Sequence, residues 1–198
     1  MQDQARSRKT APSASETTGR IRADDGQCGT PPRRNRGELL RSDWDILKRA
    51  GLPSQARHTA ASNRAHITLL AAPRIPAEYD STLAALAEAL PLPIHTAGLV
   101  LFRTGRGQVL ARLGVVSRAL YDFHRAVHQA LDGVPGVTGN CVPDRWIPHI
   151  TLARGMTSGQ VAEAVDLLPG DHGQLILPTL RRWDSHEKTT AALGSTTG

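Results

Sequence analysis

His66-Ile67-Thr68-Leu69 recurs as His149-Ile150-Thr151-Leu152, and each copy lies in an apolar, strand-like stretch that gives way to a loop and then a helix-patterned segment. In an extended strand, side chains two apart share a face, so each copy sets an imidazole beside a hydroxyl while Ile and Leu turn the other way. The copies stand 83 residues apart, far beyond a solenoid or propeller period. An internal duplication, with two lobes related by approximate twofold symmetry, accounts for that spacing.

The flanking sequence fills in the lobes. The helical spacing of Leu39, Leu40, Trp44 and Leu47 predicts a helix over 37–50, stopped by Gly51 and Pro53. A second helix over 77–90 is opened by Pro76 and closed by Pro91 and Pro93. Strands over 94–103 and 108–116 are joined by Thr104-Gly105-Arg106-Gly107, a hairpin signal. Ser117 is placed to cap a helix ending near Leu131, and Thr157 with Gln160 forms a capping-box pattern for another ending near Leu168. Residues 174–183 read as one last strand. The fold class is therefore α/β (α+β), one domain over 37–186.

Residues 1–36 and 187–198 carry too little apolar surface to offset ordering entropy, and both are expected to be disordered tails. The net charge of +6 is concentrated at the start of the chain, because residues 1–36 hold eight Arg/Lys against four Asp/Glu. That pattern describes a basic tail, not a strongly basic folded face. Two cysteines make no disulfide framework and point to a reducing compartment. No apolar run approaches the roughly 20 residues that span a bilayer, so no membrane association and a cytoplasmic monomer are expected.

Histidine is the side chain that gives or takes a proton near neutral pH at small cost, its unperturbed pKa being about 6.5. Two imidazoles on opposite sides of one phosphate supply both proton transfers of an in-line displacement, and Thr68 and Thr151 supply hydroxyl donors for the equatorial oxygens. A phosphodiester suits that arrangement. Arg154, just past the second copy, is a candidate contact to a phosphate or an RNA backbone. Trp146 is a candidate to stack on a base at the cleft rim, with packing against the core as its more ordinary role. His124 and His128 share a helical face but lack a third ligand in the pattern, so no metal and no cofactor are expected.

These features resemble the two-histidine (2H) phosphoesterase superfamily, and within it the bacterial 2′-5′ RNA ligase-like branch. The resemblance runs from about Asp43 to Trp183 and includes Gly51-Leu52-Pro53-Ser54-Gln55, Ser62-Asn63-Arg64 and Trp146-Ile147-Pro148. It implies a bilobal, pseudo-twofold fold of two antiparallel sheets flanked by helices around a central cleft. It implies His66 and His149 as the catalytic pair, Thr68 and Thr151 as phosphate-binding hydroxyls, and no metal. The implied activity is cleavage of 2′,3′-cyclic phosphates or 2′-5′ linkages of RNA or nucleotides, with reversible ligation in some members. A non-catalytic RNA or nucleotide binder that keeps the cleft is the alternative. The family pattern also places an apolar strand before the first helix, where this sequence is polar.

Overall fold

The computed structural model describes residues 26–30, 34–60, 62–170 and 173–194, with side chains outside the description at 26, 27, 29, 30 and 34–40. Twelve elements follow in order: β1 (Gly26–Thr30), α1 (Arg34–Arg49), β2 (Ile67–Ala72), α2 (Asp80–Leu86), β3 (Leu92–Thr104), β4 (Gly107–Gly114), α3 (Arg118–Ala130), β5 (His149–Met156), α4 (Ser158–Leu167), β6 (Gln174–Leu177), β7 (Leu180–Asp184) and β8 (Thr189–Leu193). They build two four-stranded sheets, β2-β1-β7-β8 and β5-β4-β3-β6. Every paired neighbour is antiparallel. The two motif strands, β2 and β5, are the edges at which the sheets approach each other.

Each sheet is covered by a helix from the other half of the duplication. α1 follows β1 of the first sheet yet packs with α4 against the second, where Trp44, Leu47 and Leu52 meet Leu152, Met156 and Val161. α3 follows β4 of the second sheet yet packs with α2 against the first, burying Leu120, Phe123, Val127 and Leu131 on Ile67, Leu69 and Leu83. Their spacing is the apolar stripe of an amphipathic helix, and each such side chain contributes about 1.5–3 kcal/mol on burial. The exchange ties the lobes together.

Local signals act where the sequence places them. Ser117 accepts from Leu120 N–H at 3.2 Å, and Thr157 and Gln160 close a reciprocal capping box. The hairpin turn falls at Gly105-Arg106, between the paired Thr104 and Gly107.

Three expectations need correction. Residues 26–30 are not disordered: they form β1, between β2 and β7. Gly26-Gln27-Cys28-Gly29-Thr30 has one apolar residue and hence no legible period, but a ladder on both sides satisfies its backbone regardless of side chain. Cys28 is fully buried there, and burial pushes its thiol up to about 12, so no thiolate is available. In the C-terminal tail, residues 189–193 form edge strand β8 with Leu193 buried against the core. The expected single strand over 174–183 is two strands in different sheets, since Pro178 lacks the N–H that a ladder needs. Residues 34–36 open α1, and residues 187–188 lie in the turn before β8; of both tails, 1–25, 31–33 and 195–198 lie outside the described residues. Among those described, no helix is long and apolar enough to cross a membrane.

Candidate active site

Both motifs adopt the same local structure, down to an irregularity the sequence does not announce. In β2 the register passes from Thr68 opposite Gly29 to Leu70 opposite Cys28, leaving Leu69 unpaired. In β5 it passes from Thr151 opposite Ala111 to Ala153 opposite Leu110, leaving Leu152 unpaired. Each motif thus carries a bulge at its leucine, which bends the strand and takes that residue out of the ladder. The burial pattern is also the same, with His and Thr half-buried and Ile and Leu fully enclosed.

The two imidazoles are anchored alike. His66 Nδ1 lies 2.8 Å from the Arg64 carbonyl, and His149 Nδ1 lies 2.8 Å from the Ile147 carbonyl, in each case two residues back. A carbonyl only accepts, so Nδ1 carries the hydrogen and the lone pair of the neutral ring sits on Nε2. Each ring therefore offers Nε2 for proton transfer. Gly114 packs close by: its N–H donates to the Pro148 carbonyl at 2.8 Å, and a Cβ there would meet Ile94 Cδ1 at 2.7 Å and Pro148 at 3.3 Å.

Two indoles hold the motif threonines by their backbones, crosswise. Trp44, upstream of the first motif, donates Nε1–H to the Thr151 carbonyl at 3.1 Å. Trp146, upstream of the second, donates to the Thr68 carbonyl at 2.9 Å. Trp146 also stacks on the buried ring of His124, with centroids 4.0 Å apart and planes 3° from parallel. One face of the Trp146 ring is thus packed on His124, and its N–H is engaged by the Thr68 carbonyl. His124 in turn sits by Nε2 at 3.0 Å from the Leu69 carbonyl and 2.9 Å from the Cys141 carbonyl, a place in the core.

The surroundings of the two rings are cationic. His66 is held down to about 4, first by desolvation, then by Arg181, with smaller contributions from Arg154 and His149, against the opposing Arg64 carbonyl bond. Water reaches part of the ring, yet protein atoms surround it. His149 is also lowered by desolvation and by Arg154, against its bond to the Ile147 carbonyl. Arg154 and Arg181 are themselves lowered by desolvation, and among the described residues neither is ion-paired with a carboxylate. Arg154 reaches Thr151 Oγ1 at 3.5 Å, where its position in the sequence places it.

Two residues of the site escape the sequence reading. Arg181, in β7, comes from the far end of the chain, and nothing in its spacing from either motif reveals it. Phe102, half-buried in β3, sets its ring 4.5 Å from that of His149 at 48°. Strand alternation in β3 places Phe102 on one face but does not say which element that face meets.

The sequence matches the 2′-5′ RNA ligase superfamily over residues 38–184. No curated protein matches it. Among solved structures, Kluyveromyces marxianus Usb1 with uridine monophosphate is similar at 8% identity and TM-score 0.49, covering 86% of this chain and 97% of that one. A phosphoesterase aligns at 18% identity and TM-score 0.48, covering 85% and 93%. Escherichia coli LigT with NADP+ aligns at 16% identity and TM-score 0.47, covering 86% and 98%. The family match takes in well over half of the chain and both histidine motifs, and the chain belongs to the 2′-5′ RNA ligase superfamily of two-histidine phosphoesterases.

Proposed function

We propose that the protein is a metal-independent phosphodiesterase acting on 2′,3′-cyclic phosphates or 2′-5′ linkages of RNA or nucleotides, with 2′-5′ ligation as the reverse reaction. The carrying observation is the matched anchoring of both imidazoles by Nδ1. One neutral Nε2 takes a proton from water as it attacks phosphorus. The other ring, protonated, gives its Nε2 proton to the leaving ribose oxygen. Thr68, Thr151 and Arg154 stabilise the equatorial oxygens, where charge accumulates.

A protein that only binds RNA in the same cleft has use for the arginines but none for two rings held in one tautomer, so the catalytic reading is the stronger. A panel of the four nucleoside 2′,3′-cyclic phosphates, cyclic-phosphate-ended RNAs and 2′-5′ dinucleotides, each assayed with and without chelator, tests it. Turnover unaffected by chelator is expected. The pH dependence is also constrained: the reactive form has one ring neutral and one protonated, and it is most populated between the two pKa values. Both lie below the usual 6.5, so kcat/KM peaks on the acid side of 6.5 and falls as pH rises past it. A bound phosphate anion raises both values, so the kcat profile lies at higher pH than the kcat/KM profile. Binding without turnover of any member of the panel would leave the non-catalytic reading.

A further inference from the structure

The carbonyl that anchors His66 has a second donor. Arg181 Nη2 reaches the Arg64 carbonyl at 3.4 Å, the same oxygen that accepts His66 Nδ1–H at 2.8 Å. Its Nη1 reaches the Ser62 carbonyl, also at 3.4 Å. The planar fork of one guanidinium thus spans residues 62–64, the segment that enters the first motif. For His149 no such brace exists among the described contacts: the Ile147 carbonyl holds the ring, the uncharged Phe102 lies against it, and the cation that acts on it is Arg154.

The charged surroundings are unequal as well. His66 faces Arg181 from β7 and both Arg154 and His149 from β5, while Arg64 lies in its own approach segment beside Arg181. His149 is influenced by Arg154. A fixed cation beside an imidazole opposes protonation of the ring. A cation on the shared carbonyl also draws on the oxygen that the protonated ring would use most strongly.

We infer that Arg181 is a positioning residue for His66: bracing residues 62–64 and sharing the Arg64 carbonyl, it fixes that ring as the proton-accepting member of the pair and leaves His149 as the donor. This rests on the acid–base reading above. It breaks the symmetry of the duplicated motifs, and it does so from β7, which carries neither motif.

The test is an NMR titration of both imidazoles in the full chain, as wild type, Arg181→Gln and Arg181→Lys, beside kcat/KM measured against pH. In the wild type His66 titrates below His149. In Arg181→Gln His66 rises by about one pH unit or more, the size expected for a close charge, while His149 moves less, and the acid limb of kcat/KM rises with His66. Arg181→Lys, which keeps the cation, restores most of the low titration. A wild-type His66 titrating at or above His149 overturns the inference without any variant. So does an equal rise of both rings in Arg181→Gln, or an acid limb that stays put while turnover falls. The titration decides even if no cyclic phosphate is hydrolysed, so it separates failure of this inference from failure of the proposed activity.

Discussion

The surroundings of His66 and His149 agree in everything the duplication supplies and differ in what it does not. Shared are the bulge at the motif leucine, the Nδ1 bond to the carbonyl two residues back, and the indole on the threonine carbonyl. Different are the neighbours: Arg181 stands beside His66, and Phe102 lies against His149. A duplicated backbone gives two equivalent places for an imidazole. Acid–base chemistry needs two inequivalent ones, and the inequivalence comes from single side chains on other strands.

The largest expected effect comes from removing either ring. His66→Ala and His149→Ala should each reduce kcat by about 10²–10⁴ or more, since each eliminates one proton transfer. Single-turnover rates on a cyclic nucleotide, with circular dichroism to establish folding, check this. If one substitution were nearly silent, the pair would not be acting on one phosphate.

The lobes also differ in how an arginine is secured, and stability measurements sharpen that contrast. Arg112 and Asp43 are both fully buried, 2.9 Å apart, with Arg112 also donating to the Pro169 carbonyl at 2.5 Å. Arg182 meets Asp80 at 2.6 and 2.9 Å, but Asp80 remains 30% exposed. Asp43→Ala leaves a buried cation uncompensated and should cost about 3–5 kcal/mol. Asp80→Ala leaves Arg182 its second carboxylate, Asp184 at 3.5 Å, and opens the partly exposed site to water, so the loss should be clearly smaller. Urea denaturation at fixed m-value gives both numbers, and equal costs would show that burial does not distinguish the two pairs.

Legibility in the sequence followed the range of the interaction. Helix caps, the Gly105-Arg106 turn and the two motif strands depend on residues within four or five positions, and all stand where the sequence puts them. β1 did not, because its stability comes from two partners far along the chain and one buried cysteine. Arg181 and the crossed indoles were invisible for the same reason: Trp44 and its acceptor are 107 positions apart, Trp146 and its acceptor 78. The bulges were hidden in a different way. His-Ile-Thr-Leu alternates cleanly, and only the partner strand reveals that its leucine is unpaired.

The smallest expected effect tests the crossed indoles. Trp44→Phe and Trp146→Phe each remove a donor from a motif carbonyl while keeping most of the aromatic surface, and an unsatisfied buried acceptor costs about 1–3 kcal/mol. Trp44 is 6% exposed, so water does not replace its N–H and its loss should fall within that range. Trp146 is half-buried, so water partly substitutes and its loss should lie below it. Because each indole holds the opposite threonine, Trp44→Phe should lower kcat through Thr151 and Trp146→Phe through Thr68, each by less than the corresponding Thr→Ala. Denaturant midpoints and kcat for the four single variants decide the matter. If Trp146→Phe instead raised KM for cyclic nucleotides with stability unchanged, its ring would be touching substrate in the base-stacking role.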